Sequence, residues 1–388
     1  MTLPLRRFVF WMHLVAGVSA GLVVLMMSIT GVMLAYEKQI IRWAEGVSAP
    51  PPSQRSQQLP LEDLVARAAT VYPDVTPGTI TVRREVGAPV EVNFGQKGSV
   101  FVHAYTGDVL GTGSARTRAF FRSVMEWHRW VALTDARRAM GKTITGVSNL
   151  VFLFIVVSGF YLWWPRAWTW AQFRQVLWFR TGLPSKARDF NWHHVIGYWS
   201  LVPLAVIVWS GVVIGYPWAS DLTFRMAGET PPRPGQAGPA RPGDASTGRA
   251  DAPVAAQPLV VLLARAAAQR PDWRLLSARL PGGSDAVLQV TIDTGTGAQP
   301  QKKGTLQLDR ETGAIRKWEP FEAQSQGRQW RSWLRFVHTG EYYGLAGQTV
   351  AGLVTAGTGV LVWTGLALSW RRFRSWRERG ASTRRAAA

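Results

Sequence analysis

Histidine and glycine recur in this chain at spacings suited to a buried planar cofactor. His13 is followed by Gly17, Thr30-Gly31 and Tyr36, and His193 is followed by Gly197, Ser210-Gly211 and Tyr216 at the same intervals. Imidazole supplies a metal ligand and glycine leaves room beside it, so this repeat inside apolar runs points to haem. His128 and His338 stand ahead of two further apolar runs, which carry Gly159 and Gly365 near their far ends. Pairing His13 with His193 and His128 with His338 fills both axial positions of two irons. CxxCH is absent, which excludes ordinary covalent attachment and leaves haem b. A plain interfacial role for each histidine is the competing reading.

The same spacing separates the remaining candidates. His194 adjoins His193 but points about 100° away on a helix, and only His193 keeps the steps to Gly197 and Gly211 that His13 makes. His103, beside Tyr105 in an alternating segment, reads as a surface histidine. The residues from His13 to Gly31 climb about 27 Å at about 1.5 Å per residue, so Gly31 and Gly211 belong at the level of the His128/His338 pair. Gly159 and Gly365 then fall beside His13 and His193. Close packing of helices through small residues explains the glycines equally well. Arg129 and Arg335 are placed to neutralise propionates at the outer pair. Glu341, Tyr342 and Tyr343 in HTGEYYG mark a candidate substrate approach, with Thr339 at the same level.

These residues need long apolar elements to hold them. The chain has 388 residues, 47% of them hydrophobic, with 20 tryptophans and no cysteine. Residues 14–36, 144–164, 195–218 and 350–370 contain no Asp, Glu, Lys or Arg, and each has the roughly 20 residues that cross about 30 Å of hydrocarbon. The organisation expected is a first transmembrane helix over 8–36, an external segment 37–143 that includes His128, a second span 144–165, a loop 166–192, a third span 193–218, an external segment 219–345, a fourth span 346–370 and a basic tail 371–388. Arg6, Arg7, Arg166, Arg174, Arg180, Lys186, Arg188 and the tail arginines are opposed only by Asp189 and Glu378, which assigns those segments and both termini to the cytoplasm. The net charge of +20 is then a topology signal with contact to anionic lipid of the bilayer, and no reading motif for nucleic acid accompanies it.

The external segments repeat as well. LVARAATVYPD over 64–74 matches LLARAAAQRPD over 262–272, and each is followed by alternating apolar residues and a Thr-Gly turn, at Thr106-Gly107 and Thr312-Gly313. Each reads as a short helix and an antiparallel strand set. Residues 47–58 and 230–258 are rich in Pro, Gly, Ala and Ser and read as linkers. The fold class expected is therefore membrane α-helical: a bundle of four transmembrane helices carrying two external α+β modules, with internal duplication.

The motifs WMHLVAGVSAG with SITGVMLAYE, EWHRWVAL with VSGFYLWWPR, NWHHVIGYWS, and FVHTGEYYGLAGQ with WTGLALSWRR together resemble the PepSY-associated transmembrane proteins over most of the chain. The resemblance implies a bacterial inner-membrane location and periplasmic PepSY-like modules. Within the family the chain looks most like the siderophore-iron reductases, which implies reduction of a ferric siderophore, hydroxamates first, with release of Fe(II). It also implies an electron donor, either a cytoplasmic flavoprotein or a membrane quinol. A general transmembrane electron carrier and a peptide-binding regulatory protein without redox activity are the alternatives.

No GxGxxG after a strand, Walker motif, HExxH or Ser/His/Asp set is found, so nicotinamide binding, ATP hydrolysis and peptidase chemistry have no support. Topology follows from charge alone and is open to direct measurement. Reporter fusions near residues 175 and 380 should score as cytoplasmic and fusions near 80 and 290 as external. A cytoplasmic signal near 290 breaks the four-span scheme.

Overall fold

The computed structural model describes residues 3–46, 48–53, 57–164, 169–232, 256–280 and 285–386. Arg166 and most of the expected linkers, 233–255 together with 47 and 54–56, lie outside the described residues. The described chain divides into two compact units, one built from residues 1–37, 120–222 and 334–388, the other from 38–119 and 223–333.

Four long apolar helices form the first unit: α1 (Leu3–Leu34), α5 (Arg138–Trp163), α7 (Ser185–Gly215) and α11 (Gly344–Ala386). In hydrocarbon each backbone polar group must be satisfied within its own segment, and an uninterrupted helix does this. α1 packs on α5 and α11, and α7 packs on the same two helices, so α1 and α7 face each other diagonally. A layer of Val156, Leu204, Val208 and Val354 fills the middle.

The helices are longer than their apolar stretches. α5 begins at Arg138, α7 at Ser185, and α11 runs through 371–386, which had been assigned to a tail. Apolar runs mark only the part in lipid, whereas Ala, Arg, Lys and Glu carry a helix into water at little cost. His193 therefore sits two turns inside α7 and not at its start. Beyond the apolar part, Asp189 on α7 is buried and accepts bonds from Arg188 Nη2 at 2.9 Å and Arg371 Nη1 at 2.6 Å. Asn191 donates to Trp178 O at 3.1 Å and accepts from Arg180 N at 3.0 Å, tying down the preceding loop with its short helix α6 (Trp170–Leu177).

The second unit joins both external segments. The first segment contributes α3 (Leu61–Ala69), β1 (Thr79–Arg83), β2 (Val90–Asn93), β3 (Ser99–Val102) and β4 (Val109–Gly111). The second contributes α9 (Leu259–Gln269), β5 (Leu275–Arg279), β6 (Val287–Asp293), β7 (Lys303–Asp309) and β8 (Ile315–Pro320). They do not make two separate modules. β1 pairs antiparallel with β5, from Thr79↔Arg279 to Arg83↔Leu275, giving one open eight-stranded sheet in the order β4-β3-β2-β1-β5-β6-β7-β8. Alternate residues enter a single core, with Leu64, Ile80, Val92 and Val100 from one segment meeting Leu262, Leu288, Ile292 and Leu306 from the other. Duplication shows in detail: Arg67 of α3 donates to Gly107 O, and Arg265 of α9 donates to Gly313 O at 3.1 Å.

Residues 120–130 and 334–338, expected within the external segments, fold with the bundle. They belong to α4 (Ala115–Trp130) and α10 (Gln326–His338). Their histidines thus come from short helices that precede the spans, which periodicity within the spans does not reveal.

The shared sheet has a direct test. The Thr81 and Ser277 hydroxyls lie 3.1 Å apart across the β1–β5 pair, and the chain has no cysteine of its own. The double variant Thr81→Cys, Ser277→Cys should form an intramolecular disulfide under mild oxidation, visible as a mobility shift on a non-reducing gel. Free thiols after oxidation would separate the two segments.

Candidate functional site: two histidine pairs in one bundle

Each of the four histidines meets a hydroxyl and a glycine on a helix beside it. His13 Nδ1 lies 2.9 Å from Ser158 Oγ, His128 Nδ1 2.9 Å from Thr30 Oγ1, His193 Nδ1 3.0 Å from Thr364 Oγ1, and His338 Nδ1 3.0 Å from Ser210 Oγ. The residue after each hydroxyl is Gly159, Gly31, Gly365 or Gly211, and a Cβ there would stand 3.4 Å from the Cε1 of the same histidine. The glycine levels thus match the rise of the helices. The imidazole edge is the nearest neighbour at Gly159 and Gly365, whereas Thr355 at 3.1 Å and Asn149 at 3.0 Å stand closer still to Gly31 and Gly211. Gly17, by contrast, would place a Cβ in open space.

His13 and His193 line one cavity of about 1510 Å³ between the helices. Gly17, Gly21 and Gly197 floor it, one turn and more beyond their histidines on the same faces. Its walls are apolar and aromatic, and its charged lining residues are Arg6, Arg7, Lys186, Arg372 and Arg379, with no carboxylate. Arg6 is committed to the Leu162 and Trp164 carbonyls at the end of α5, and Arg372 lies over the Phe10 and Trp11 rings at 5.0 and 4.8 Å. Trp163 stacks on Tyr198 at 4.7 Å, and its buried Nε1–H has no hydrogen-bond partner among the described residues. An indole N–H out of water normally finds an acceptor.

His194 also lines this cavity, but its Nδ1 bonds to Phe190 O of its own helix at 2.9 Å and its ring lies 4.0 Å from that of Phe190. No hydroxyl from another helix holds it, in contrast to His193. His103 is a structural turn residue: Nε2 donates to Pro50 O at 3.1 Å, while Nδ1 accepts from Tyr105 N and Thr106 N at 3.2 Å each.

His128 and His338 meet at the other end with ring centroids 6.5 Å apart. Burial, together with neighbouring His338, pushes His128 down to about 4, and burial lowers His338 too, which favours the neutral form that can ligate. Arg129 is lowered by burial and by the nearby charges of Arg335 and Arg138. These three cations crowd one region, and such a cluster is suited to an anion. Arg138 and Arg129 also lie over the Trp130 ring at 3.8 and 5.1 Å.

Tight turns place this pair. After α4, Val131 N bonds Trp127 O and Ala132 N bonds Glu126 O, with Val131 and Ala132 both at φ 53. Left-handed geometry costs such residues about 1–2 kcal/mol each. A Cβ on Gly141 would lie 2.1 Å from Trp130 O, and one on Gly347 would lie 2.3 Å from Gly340 O. Only glycine lets the two histidine-bearing segments come this close to the spans that follow. Glu341 is buried, with Thr339 Oγ1 donating to Oε2 at 3.2 Å, whereas Tyr343 is exposed beside Tyr342. Of that candidate approach surface, the tyrosine reaches water and the carboxylate does not.

Sequence reasoning named Gly17 and Gly197 in the repeat but gave the hydroxyls and the Trp163 N–H no role, and it did not single out Gly21 or Arg138. The signal for the first was present, since Ser or Thr precedes every one of the four glycines.

Four apolar spans and histidines paired at both ends define a multi-pass helical-bundle membrane protein. The chain belongs to the PepSY-associated transmembrane family: the profile of the PepSY-associated TM region matches residues 10–386. No curated protein matches it.

Proposed function

We propose that this protein is a di-haem b-type reductase of the bacterial inner membrane that passes electrons to a ferric siderophore in the periplasm, with both termini cytoplasmic. The observation that carries this reading is the pair of histidines at each end of one bundle, every ring held at Nδ1 by a hydroxyl of a neighbouring helix. Along α1, the rise from His13 to Thr30, which holds His128, is about 26 Å, so the pairs stand near opposite faces of a bilayer.

The residues present suit haem. His128 and His338, with ring centroids 6.5 Å apart, are the residues that would hold the haem iron at this end. At the His13/His193 end, the cavity offers apolar walls, cations without carboxylates and the orphaned Trp163 N–H, which suit a planar apolar group with an acidic edge. At the other end, Arg129, Arg335 and Arg138 suit the same acidic edge. Bound there, haem would supply one-electron transfer at each face. The protein residues hold the ligands, balance carboxylate charge and keep water from the middle through the Val156, Leu204, Val208 and Val354 layer. In the reaction proposed, ferric iron in an oxygen chelate gains one electron, and the larger, less charged Fe(II) leaves an intact chelator. Tyr342 and Tyr343 lie in the same short turn after His338 and are the candidate docking residues. The donor is a cytoplasmic flavoprotein or a quinol.

Purified protein should show a reducible low-spin b-type spectrum with about two haems per chain. His13→Ala or His193→Ala should remove one and His128→Ala or His338→Ala the other, while His194→Ala removes neither. Reduced protein mixed with ferric hydroxamates in stopped flow should reoxidise, and a ferrous trap should collect the iron. A colourless preparation from haem-replete cells overturns ligation. Oxidation by oxygen with indifference to every ferric siderophore leaves a general electron carrier.

A further inference from the structure

We infer that Thr30, Ser158, Ser210 and Thr364 are positioning residues that fix each histidine in the Nδ1–H form, aim Nε2 at the metal and set its donor strength. This rests on the haem reading above. The hydroxyl protons are already committed: Ser158 donates to Phe154 O at 2.7 Å, Thr30 to Met26 O at 2.8 Å, Thr364 to Val360 O at 2.8 Å and Ser210 to Ile207 O at 2.7 Å. An oxygen that has given its proton to a carbonyl is left to accept, so the imidazole must donate. The backbone agrees. Each ring also has as a backbone neighbour the residue three before the hydroxyl, namely Ile155 for His13, Met27 for His128, Leu361 for His193 and Ile207 for His338. For His338 a hydrogen bond runs from Nδ1 to Ile207 O at 3.0 Å, and a carbonyl only accepts. The lone pair is therefore on Nε2, the tautomer that ligates from the far side of the ring.

Back-bonding of a hydroxyl to its own helix is common in membrane spans and does not account for the pattern alone. Thr355 and Thr358 back-bond in the same way, to Ala351 O and Val354 O, and meet no histidine. A following glycine is not enough either, since Thr358 precedes Gly359 and Thr145 precedes Gly146; what distinguishes the four is that their glycines admit an imidazole edge at 3.4 Å, where Gly359 faces Leu25 and Gly146 faces Tyr216. The arrangement is also local to each repeat. α1 and α5 hold the histidines of the first repeat, His128 and His13, and α7 and α11 hold those of the second, His338 and His193. Each pair draws one histidine from each repeat, so each ligand is aimed before its partner arrives.

Removing an acceptor from Nδ1–H makes the imidazole a poorer donor, which favours ferrous iron and raises the potential. The test is potentiometric titration of purified full-length protein, followed by haem absorbance and low-temperature electron paramagnetic resonance. Thr364→Val should raise the midpoint of the His13/His193 haem by roughly a tenfold change in the ferrous-to-ferric ratio at fixed poise, about 59 mV for one electron. Thr364→Ser should restore it. Ser210→Ala should shift the His128/His338 haem alone. Loss of one haem in Thr364→Val with full loading in Thr364→Ser supports the same role, and Ser158→Ala then reads the same site through its other histidine. If Thr364→Val, Ser158→Ala and Ser210→Ala keep both haems with wild-type potentials and resonances, the hydroxyls only pack. A wild-type protein without haem would overturn the ligation scheme and this inference with it.

Discussion

An imidazole N–H inside a lipid-length bundle must find an acceptor, because water is not there to supply one and an unmet donor costs about 1–3 kcal/mol. Here the acceptor is a serine or threonine oxygen on a helix beside it, next to a glycine that lets the ring in. Much of the bundle follows from that contact. It sets the approach of α1 to α5 and of α7 to α11, and it requires α4 and α10 to deliver His128 and His338 to the spans at Thr30 and Ser210. The left-handed turn at Val131 and the contacts of Gly141 and Gly347 are the local cost of that delivery.

Electrostatics divides the two ends. At the His13/His193 end the cationic rim is wide, the cavity is large, and the one buried carboxylate nearby, Asp189, is satisfied by Arg188 and Arg371. A buried charge pair of this kind contributes little net stability but is costly to break by removing one partner. It couples the extension of α11 to α7 just outside the apolar region. At the other end the histidines are enclosed and the cations are fewer, gathered around Trp130.

The spans were legible because lipid imposes a one-dimensional rule: about 20 uncharged residues are visible as such in any register. The histidine and glycine repeat was legible for a related reason, since residues at equal helical spacing share a face. The β1–β5 pairing was not. Thr79–Arg83 and Leu275–Arg279 both alternate correctly, and nothing local says that each is the other's neighbour across nearly 200 residues. The hydroxyls at Thr30, Ser158, Ser210 and Thr364 were visible in the same dipeptides as the glycines. Their partners were not, because a serine in an apolar helix is satisfied by its own backbone and signals no contact elsewhere. Helix ends were misjudged where polar residues continue a helix in water, as at Ser185 and beyond Trp370.

The pairing of one histidine from each repeat has a consequence for how the two faces differ. A bundle made from two identical halves about a twofold axis would carry the same residues twice around each site, and any change would appear on both sides at once. Joining the halves in one chain removes that restriction while keeping the repeated helices side by side. His194 has no counterpart beside His13, where Leu14 stands, and Arg138 lies near one outer histidine with Gly344 opening the corresponding span. Each site therefore has unlike flanks on its two sides, and a ligand with distinguishable edges has one preferred way round.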